Sequence, residues 1–128
     1  FEFSLPRQPV WIKGDAGRLR QIIINLFNNS QRAFATAIKV NLITEGNHVI
    51  LDVWDNGRGI ALKDQPYIFE RFYRGLPQKS KKKGLGLGLT ISRLLARAHG
   101  GELILLSTCA EGTTFRLSLP QSDNGGEN

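Results

Sequence analysis

The sequence predicts an α+β domain of two layers, in which helices cover one face of a single sheet. Two stretches carry apolar residues at helical spacing, and the segments between and after them are rich in residues that favour strands. Those segments form pairs joined by short runs of turn residues, which indicates antiparallel hairpins. The helical stretches are residues 15–34 and 86–99, and the paired strands are 37–44 with 48–54 and 102–108 with 113–119.

The first helix begins at Asp15, whose carboxylate is a good N-cap. Before it, residues 1–5 alternate apolar and polar side chains and predict a short strand, and residues 10–12 predict a second one. The face of the first helix that we expect to be buried carries Leu19, Ile22, Ile23, Leu26, Phe27, Ser30, Ala33 and Phe34.

The region between the two helical stretches also contains loops. Residues 55–59 are polar and rich in glycine and predict one loop, after which Pro66 is expected to begin a short helix. Residues 74–84 lack a hydrophobic period and are rich in lysine, so they predict a mobile loop. The apolar residues of the short helix are Ile68, Phe69 and Phe72.

The second helix is expected to bury one face and to end at Gly100 and Gly101. Residues 121–128 predict a flexible C-terminal tail behind a domain that spans residues 1–120. The buried face of the second helix is expected to carry Leu87, Ile91, Leu94, Leu95 and Ala98.

Length and composition limit the class of protein. A chain of 128 residues with 41% hydrophobic residues suits one domain with one core. No apolar run approaches the roughly 18–20 residues that span a bilayer, and no secretory signal is present. The single cysteine, Cys109, excludes an internal disulfide and a thiolate metal cluster, and fits a reducing, cytoplasmic setting. Because the chain starts at Phe1 rather than at Met, we expect a fragment of a longer protein.

The net charge of +6 comes from one segment. Without residues 71–83, which contain six basic residues and no acidic one, the chain has eleven basic and eleven acidic residues. Such a local patch can attract a nucleotide phosphate or a nucleic acid, and a solvated loop without a ligand is the alternative interpretation. The basic residues are Arg71, Arg74, Lys79, Lys81, Lys82 and Lys83.

Three asparagines fall within one turn of the first helix, although the asparagine amide competes for backbone hydrogen bonds and disfavours helices. Asn25 and Asn29 are four residues apart and share a face. Amide oxygens there can ligate a hard cation such as Mg²⁺, and Arg32 on the same stripe can meet a phosphate. An exposed polar helix edge explains the pattern equally well. The whole stripe contains Arg18, Gln21, Asn25, Asn29 and Arg32, with Asn28 beside it.

Two glycine motifs also suit a nucleotide. Asp55-x-Gly57-x-Gly59 follows a strand, where a carboxylate can accept a hydrogen bond from an amino group such as that of adenine. Glycines let the backbone approach a flat ring, and a plain turn is the alternative. A second motif, G-x-G-x-G-L at 84–89, precedes a helix and frees N–H groups for phosphate oxygens, or else forms a flexible hinge. It is neither a P-loop nor a dinucleotide fingerprint.

The order of these motifs closely resembles the ATPase domain of histidine kinases, within the superfamily of gyrase, Hsp90 and MutL-type ATPases. N-x-x-x-N on a helix is followed by D-x-G-x-G, F-x-x-F-Y-R, a short lid, G-x-G-x-G-L, H-G-G and G-T-x-F. The resemblance extends from Asp15 to Pro120. It implies a Bergerat-type ATP-binding fold, which is an α/β sandwich with a mixed, mostly antiparallel sheet and helices on one face.

The resemblance also implies roles for individual residues. Asn29 resembles the Mg²⁺ ligand and a catalytic residue, Asn25 supports it, and Arg32 matches a basic residue that faces phosphate. Asp55 resembles the residue that recognises the adenine amine. The other residues expected to bind ATP are Gly57 and Gly59 beside the ring, Thr113 through water, the catalytic Arg74 near the γ-phosphate, Gly84, Gly86 and Gly88 at the phosphates, and Ile60, Leu85 and Leu87.

Phe69 and Phe72 resemble the box that anchors one end of the lid. Three positions depart from the family pattern. Ser30 stands where alanine is usual, which we interpret as harmless. Ala33 replaces an aromatic residue that borders adenine, a loss for which Phe34 would compensate, and Leu85 replaces a residue with a hydroxyl.

The implied function is the ATP-binding catalytic domain of a bacterial two-component sensor histidine kinase, which presents the γ-phosphate of ATP to a histidine on a separate dimerisation domain. Neither His48 nor His99 suits the acceptor role, so we expect little autophosphorylation of this chain alone. Expected partners are that dimerisation domain and a response regulator receiver domain, with no nucleic acid. We expect a monomer that is the cytoplasmic part of a membrane-anchored parent.

Three alternative functions remain open at this point. An anti-sigma-type serine kinase shares this nucleotide fold, although the F-x-x-F-Y-R box and the short lid favour the histidine kinase. A nucleic-acid-binding module would use the lysine cluster but leaves Asp55, the asparagines and the glycines without a role. A degenerate domain that no longer binds nucleotide is consistent with Ala33 and Leu85.

Overall fold

The computed structural model describes residues 2–70 and 88–122. In these ranges a five-stranded sheet carries two α-helices on one face, which confirms the predicted α+β class. The elements in chain order are β1 (Glu2–Ser4), α1 (Ala16–Arg32), β2 (Ile38–Glu45), β3 (His48–Asp55), a 3-10 helix (Leu62–Tyr67), α2 (Gly88–Ala98), β4 (Glu102–Cys109) and β5 (Gly112–Pro120).

The sheet has the order β1-β2-β3-β5-β4. β1 pairs with β2 in parallel, and every other pair is antiparallel, so the sheet is mixed and mostly antiparallel as predicted. The register places Asp55, the last residue of β3, directly opposite Thr113 near the start of β5. These two residues therefore lie side by side on the face of the sheet that the helices cover.

The hydrophobic core lies between the helices and this face of the sheet. Ile22 and Leu26 of α1 and Ala96 of α2 are at most 1% exposed, and they pack against residues of the inner strands such as Val53 and Phe115. Because side chains of a strand alternate between faces, the odd-numbered residues of β3 and β5 supply this core. In the described ranges, neither α-helix combines the length and the apolar character that crossing a membrane requires.

The second strand predicted for residues 10–12 is wrong, because this segment lies in the described part of the chain and forms no strand. The Trp11 carbonyl accepts one hydrogen bond, from the Ser122 N–H at 2.7 Å. Pro9 just before the segment has no N–H to offer a ladder, which limits pairing there. The backbone N–H of Gln121 likewise donates to the Asn47 carbonyl at 2.7 Å, and residues 123–128 of the predicted tail lie outside the described residues.

Helix α1 begins as predicted, with Asp15 Oδ1 accepting from the N–H groups of Gly17 at 2.9 Å and Arg18 at 3.2 Å. The predicted buried face is confirmed for Ile22, Leu26 and Ser30. At its end the prediction is wrong, because the helix ends at Arg32 and Phe34 is 75% exposed.

Both helices end in a Schellman motif, a pair of hydrogen bonds around one residue in the left-handed conformation. In α2 that residue is Gly100, with φ +82°, the first of the two glycines predicted to end the helix. In α1 it is Phe34, with φ +63°: its N–H donates to Gln31 O at 2.9 Å, and the Ala35 N–H donates to Ser30 O at 3.2 Å. A bulky residue in this conformation is strained, and Phe34 therefore occupies a position at which glycine would be favoured.

We therefore expect Phe34→Gly to raise the free energy of unfolding by about 0.5–1 kcal/mol. The left-handed conformation costs a side-chain-bearing residue roughly 1–2 kcal/mol, from which the extra entropy of glycine in the unfolded chain removes about 0.5–1 kcal/mol. The matched variant Gly100→Ala should lower it, since φ is +82° and the new Cβ would lie 3.2 Å from Pro120 Cγ. Urea denaturation measures both changes, and destabilisation by Phe34→Gly would contradict the prediction.

Helix α2 packs differently from the prediction. Ser92 and Ala96 are fully buried, whereas Leu94 is 60% exposed and Ala98 is exposed. The reason is a close approach of the two helices, in which the Asn25 Nδ2 of α1 donates to Ser92 Oγ at 3.0 Å. Small side chains allow this approach, so the expected face of large apolar residues is wrong at these two positions, while Ile91 and Leu95 are half-buried.

His99, predicted to be a structural cap, has that role. Its Nδ1 lies 2.9 Å from the Leu95 carbonyl, and its Nε2 accepts a hydrogen bond from the Asp15 N–H at 3.1 Å. An Nε2 that accepts carries no proton, so in the neutral ring Nδ1 donates to Leu95. His99 thereby connects the end of α2 to the start of α1.

Candidate nucleotide site

The carboxylate of Asp55 is the centre of the candidate site, because it is buried at the end of an inner strand with only 2% of the residue exposed. Its Oδ2 accepts from Ser30 Oγ at 2.7 Å, and its Oδ1 accepts from the Gly57 N–H at 2.8 Å. A carboxylate offers about four lone-pair positions, so these two bonds leave capacity for a further donor. The arrangement suits recognition of an amino group.

Ser30 is a residue of the site that sequence reasoning missed, because we interpreted its replacement of alanine as harmless. It is 2% exposed, and its hydroxyl holds one oxygen of Asp55. The signal was present in the sequence, since a hydroxyl on the buried face of a helix needs a hydrogen-bond partner in the core.

Thr113 lies opposite Asp55 in the sheet and is 4% exposed. Its Oγ1 is 2.7 Å from Thr108 Oγ1, and Thr108 Oγ1 also accepts from the Ile60 N–H at 3.0 Å. Ile60, predicted to bind ATP, packs against the core. Thr108 was not among the predicted site residues.

The two glycines of the Asp55 loop, residues 55–60, have reasons within the chain itself. A Cβ on Gly57 would lie 2.7 Å from Ala33 Cβ and 2.8 Å from Ala33 O, so the loop packs directly on the end of α1. Gly59 has φ +83°, and a Cβ there would lie 2.6 Å from Cys109 O. The loop is therefore packed between α1 and the β4–β5 turn.

Asn56 and Arg58 add hydrogen bonds that hold the same loop. Asn56 Oδ1 accepts from the N–H groups of Thr36 and Ala37 at 2.8 and 2.9 Å, and the Arg58 N–H donates to Ala33 O at 3.1 Å. The Arg58 guanidinium lies 5.2 Å from the centroid of the exposed Phe34 ring. That contact occupies one face of Phe34, the residue we expected to compensate for Ala33 beside the base.

The second part of the site is the polar stripe of α1, formed by Asn25, Asn29 and Arg32, where it meets the first described turn of α2. Asn25 Nδ2 donates to Gly88 O at 3.3 Å as well as to Ser92. A Cβ built on Gly88 would lie 3.9 Å from Arg32 Nη2 and 3.9 Å from Asn25 Cγ. The structure thus brings Arg32, Asn25 and Gly88 together, while half-buried Asn29 lies one turn after Asn25.

Phe69 lies at the end of the described segment before residue 71. Its ring meets Phe115 of the core edge-to-face at 6.3 Å, Arg93 lies 4.4 Å from its centroid, and its carbonyl accepts from Thr90 Oγ1 at 2.8 Å. The short helix predicted from Pro66 is wrong in its bounds, since Pro66 lies inside a 3-10 helix that ends at Tyr67.

Several predicted features lie outside the described residues. They are the basic patch 71–83, the lid 74–84, and the site residues Phe72, Arg74, Gly84, Leu85, Gly86 and Leu87, together with the predicted start of the second helix at residue 86.

Comparison with protein families identifies the class. The model of histidine kinase-, DNA gyrase B- and HSP90-like ATPases matches residues 14–123, so the chain belongs to this family. Membership in an ATPase family implies that the chain binds ATP, and it confirms the family and the Bergerat-type fold predicted from the order of the motifs.

Within this family, the chain is similar to individual sensor histidine kinases. The chain is 41% identical over 120 residues to the probable sensor histidine kinase TcrY of Mycobacterium tuberculosis, covering 91% of this chain and 25% of TcrY. The structure of the mycobacterial sensor histidine kinase MprB matches with a TM-score of 0.76 and 28% identity, over 94% of this chain and 83% of that one.

Full-length ShkA, solved in complex with AMPPNP, matches with a TM-score of 0.75 and 31% identity over 94% of this chain and 25% of ShkA. The chain thus spans about a quarter of the length of TcrY and of ShkA. The similarity to sensor kinases favours the histidine kinase hypothesis over the anti-sigma-type serine kinase.

Proposed function

We propose that this chain is the ATP-binding catalytic domain of a two-component sensor histidine kinase. The observation that carries the proposal is the buried Asp55 carboxylate, which Ser30 and Gly57 orient while leaving it able to accept from an adenine amine. Family membership and the similarity to sensor kinases support it. ShkA, which was solved with an ATP analogue, supports ATP as the nucleotide.

In this proposal the base of ATP binds beside Asp55 and Thr113, between Gly57, Gly59 and Ile60. The phosphates extend toward Arg32 and Gly88, where a guanidinium lies next to the first described turn of a helix. The positive charge of the guanidinium attracts anions, and N–H groups at the start of a helix can bind phosphate oxygens. The remaining phosphate contacts would come from the segment 84–87 and from Arg74.

Mg²⁺ fits the polar stripe of α1, and Asn29 would hold it. Asn29 is half-buried, and none of its side-chain atoms is hydrogen-bonded within the described ranges. Mg²⁺ usually takes one or two protein oxygens and completes its shell with water and phosphate, so one amide is sufficient. Asn25 would support Asn29 from the same face of α1, where its Nδ2 also donates to Gly88 O and Ser92 Oγ of α2. The ion would neutralise charge on the phosphates during transfer.

The phosphoryl acceptor is a histidine on a separate dimerisation domain. His48 begins β3 in an exposed hairpin, and His99 has both ring nitrogens bonded, so neither is positioned to accept a phosphoryl group. The contribution of this chain is to bind and orient ATP, while Arg74 and the lysines of the basic patch compensate charge near the γ-phosphate.

Further features of the whole protein belong to the same proposal. A response regulator receiver domain would accept the phosphoryl group afterwards, and the parent protein would be anchored in the bacterial inner membrane. The domain would span 1–120, with 121–128 as its tail, and would be monomeric without the dimerisation helices.

Calorimetric titration with ATP, with and without Mg²⁺, tests the nucleotide site. We expect Mg²⁺ to tighten binding, and Asn29→Ala to weaken it about tenfold or more only when Mg²⁺ is present. The control is Asn28→Ala, an exposed neighbour on the same helix, which should change neither value. Equal weakening of Asn29→Ala with and without Mg²⁺ would contradict its role as a ligand, and an unmodified chain that binds no ATP would contradict the proposed function.

Phosphate transfer tests the enzymatic part of the proposal. A histidine-bearing dimerisation domain added to this chain and ATP should acquire acid-labile phosphate, whereas the chain alone should acquire little. Acid-stable phosphate on a partner would instead support the serine kinase.

A further inference from the structure

Two hydroxyls lie side by side at the base end of the site, and one of them has no assigned role. Thr113 Oγ1 is 2.7 Å from Thr108 Oγ1, and Thr108 Oγ1 accepts from the Ile60 N–H at 3.0 Å. Thr108 therefore joins three parts of the site, because it connects β4 to β5 and to the Asp55 loop.

The direction of the bond between the two hydroxyls decides which of them keeps a proton for another partner. Each hydroxyl has one proton to donate. If Thr113 donated to Thr108, the Thr108 oxygen would accept from both Ile60 and Thr113, and the two bonds would compete for the same oxygen. If Thr108 donates, the bonds run head to tail from Ile60 N–H through Thr108 to Thr113. Hydrogen bonds in such a chain strengthen one another.

The head-to-tail direction leaves the Thr113 proton without an acceptor among residues 2–70 and 88–122, and Thr113 is only 4% exposed. Among the described residues, the side-chain oxygens of Asp55 accept from Ser30 and Gly57, and no hydrogen bond joins them to the Thr113 hydroxyl. The register places Thr113 and Asp55 opposite each other. The Thr113 hydroxyl, as a donor, thus lies beside the Asp55 carboxylate, which can accept a further bond, on neighbouring strands of the same sheet face.

We propose that Thr108 is a positioning residue that fixes the Thr113 hydroxyl as a donor, so that the site presents a donor next to the acceptor Asp55. The inference rests on the proposed function, and it deepens it by assigning the base specificity to a residue that does not touch the base. Adenine is complementary, because its amino group donates while the adjacent ring nitrogen N1 accepts, directly or through one water. Hypoxanthine and guanine present the reverse pattern on the same edge and are disfavoured.

The test compares ATP with 1-deaza-ATP, in which a C–H replaces N1, on the unmodified chain, Thr108→Val and Thr108→Ser. The unmodified chain should bind ATP about tenfold more tightly than 1-deaza-ATP, the value of roughly one good hydrogen bond. Thr108→Val keeps the shape but removes the hydroxyl, so it should reduce this ratio to within about threefold. Thr108→Ser restores the hydroxyl and should restore the ratio. Thr108→Cys, whose thiol donates and accepts weakly, provides a second variant if valine prevents folding.

Purine riboside triphosphate is the control ligand, because it lacks the amino group that Asp55 would bind but keeps N1. Its affinity relative to ATP should be the same in Thr108→Val as in the unmodified chain. A purely structural role for Thr108 would weaken ATP and 1-deaza-ATP by the same factor, and that result overturns the inference, as does a failure of Thr108→Ser to restore the ratio. If the unmodified chain binds ATP but shows no preference over 1-deaza-ATP, the inference fails while the proposed function stands.

Discussion

Replacing Asp55 by Asn is expected to weaken ATP binding about 100-fold while leaving the domain folded. The side chain keeps its shape, and its amide oxygen can still accept from the Gly57 N–H, as Asp55 Oδ1 does at 2.8 Å. The amide nitrogen then occupies the position of Oδ2, where Ser30 Oγ can rotate to accept from it. The adenine amine would face a donor instead of an acceptor and would lose a charge-assisted hydrogen bond, so both effects act against binding.

A matched control for this variant exists on the same strand. Asp52 also lies on β3 and is also paired, since its Oδ1 and Oδ2 accept from Arg116 Nε at 2.8 Å and from Nη2 at 2.9 Å. It lies three residues earlier and therefore projects from the opposite face of the sheet. Asp52→Asn should leave ATP affinity unchanged in calorimetry. Equal affinities of Asp55→Asn and Asp52→Asn would show that the base is not recognised at Asp55.

The second large effect is expected for Gly57→Ala, which should lower both the free energy of unfolding, by about 1–3 kcal/mol, and the affinity for ATP. The new Cβ would lie 2.7 Å from Ala33 Cβ, 2.8 Å from Ala33 O and 2.9 Å from Asp55 Oδ1. The two Ala33 atoms can move only together with the end of α1, and Oδ1 can move only with the Asp55 carboxylate. The loop must therefore separate from α1, and Asp55 loses the N–H that orients it.

Gly46→Ala is the control for a glycine substitution away from the site. Gly46 has φ +63° in the β2–β3 turn, and a Cβ there would meet nothing within 4 Å. It should cost about 1 kcal/mol of backbone strain and leave ATP affinity unchanged. Adding Ala33→Gly to Gly57→Ala removes one of the contacts and should recover part of the stability. Normal ATP affinity in Gly57→Ala would contradict the packing of this loop on α1.

Much of the fold was predictable because it depends on patterns that repeat along the chain. The two hairpins are predicted by the alternation of side chains and by turn residues. The start of α1 is predicted by Asp15, because its carboxylate can cap the first N–H groups of a helix. The structure also places Asp55 and Thr113, which the resemblance named as adenine-binding residues, opposite each other on neighbouring strands. The resemblance brought together residues that are 58 positions apart in sequence, which periodicity alone cannot do.

The remaining features depend on how the elements pack against each other, which the spacing of apolar residues in the sequence does not reveal. Ser92 and Ala96 are buried because they are small enough for α1 to approach, whereas the period favours large residues such as Leu94, which is 60% exposed. Ser30 and Thr108 matter through the partner each hydroxyl meets across the fold. Phe34 has a backbone conformation that favours glycine, so the presence of a phenylalanine there gives no sign that the helix ends.

Because β3 lies in the middle of the sheet, nucleotide binding at its end would also affect how fast the domain is degraded. Asp55 closes a strand that is paired on both sides, and the interior of a sheet opens only when the whole domain unfolds. If ATP binds at Asp55 as proposed, it binds the folded chain and not the unfolded one, which shifts the folding equilibrium by mass action. At ATP concentrations well above its Kd, fewer molecules are unfolded at any moment, and proteases that cleave only unfolded chains degrade the domain more slowly.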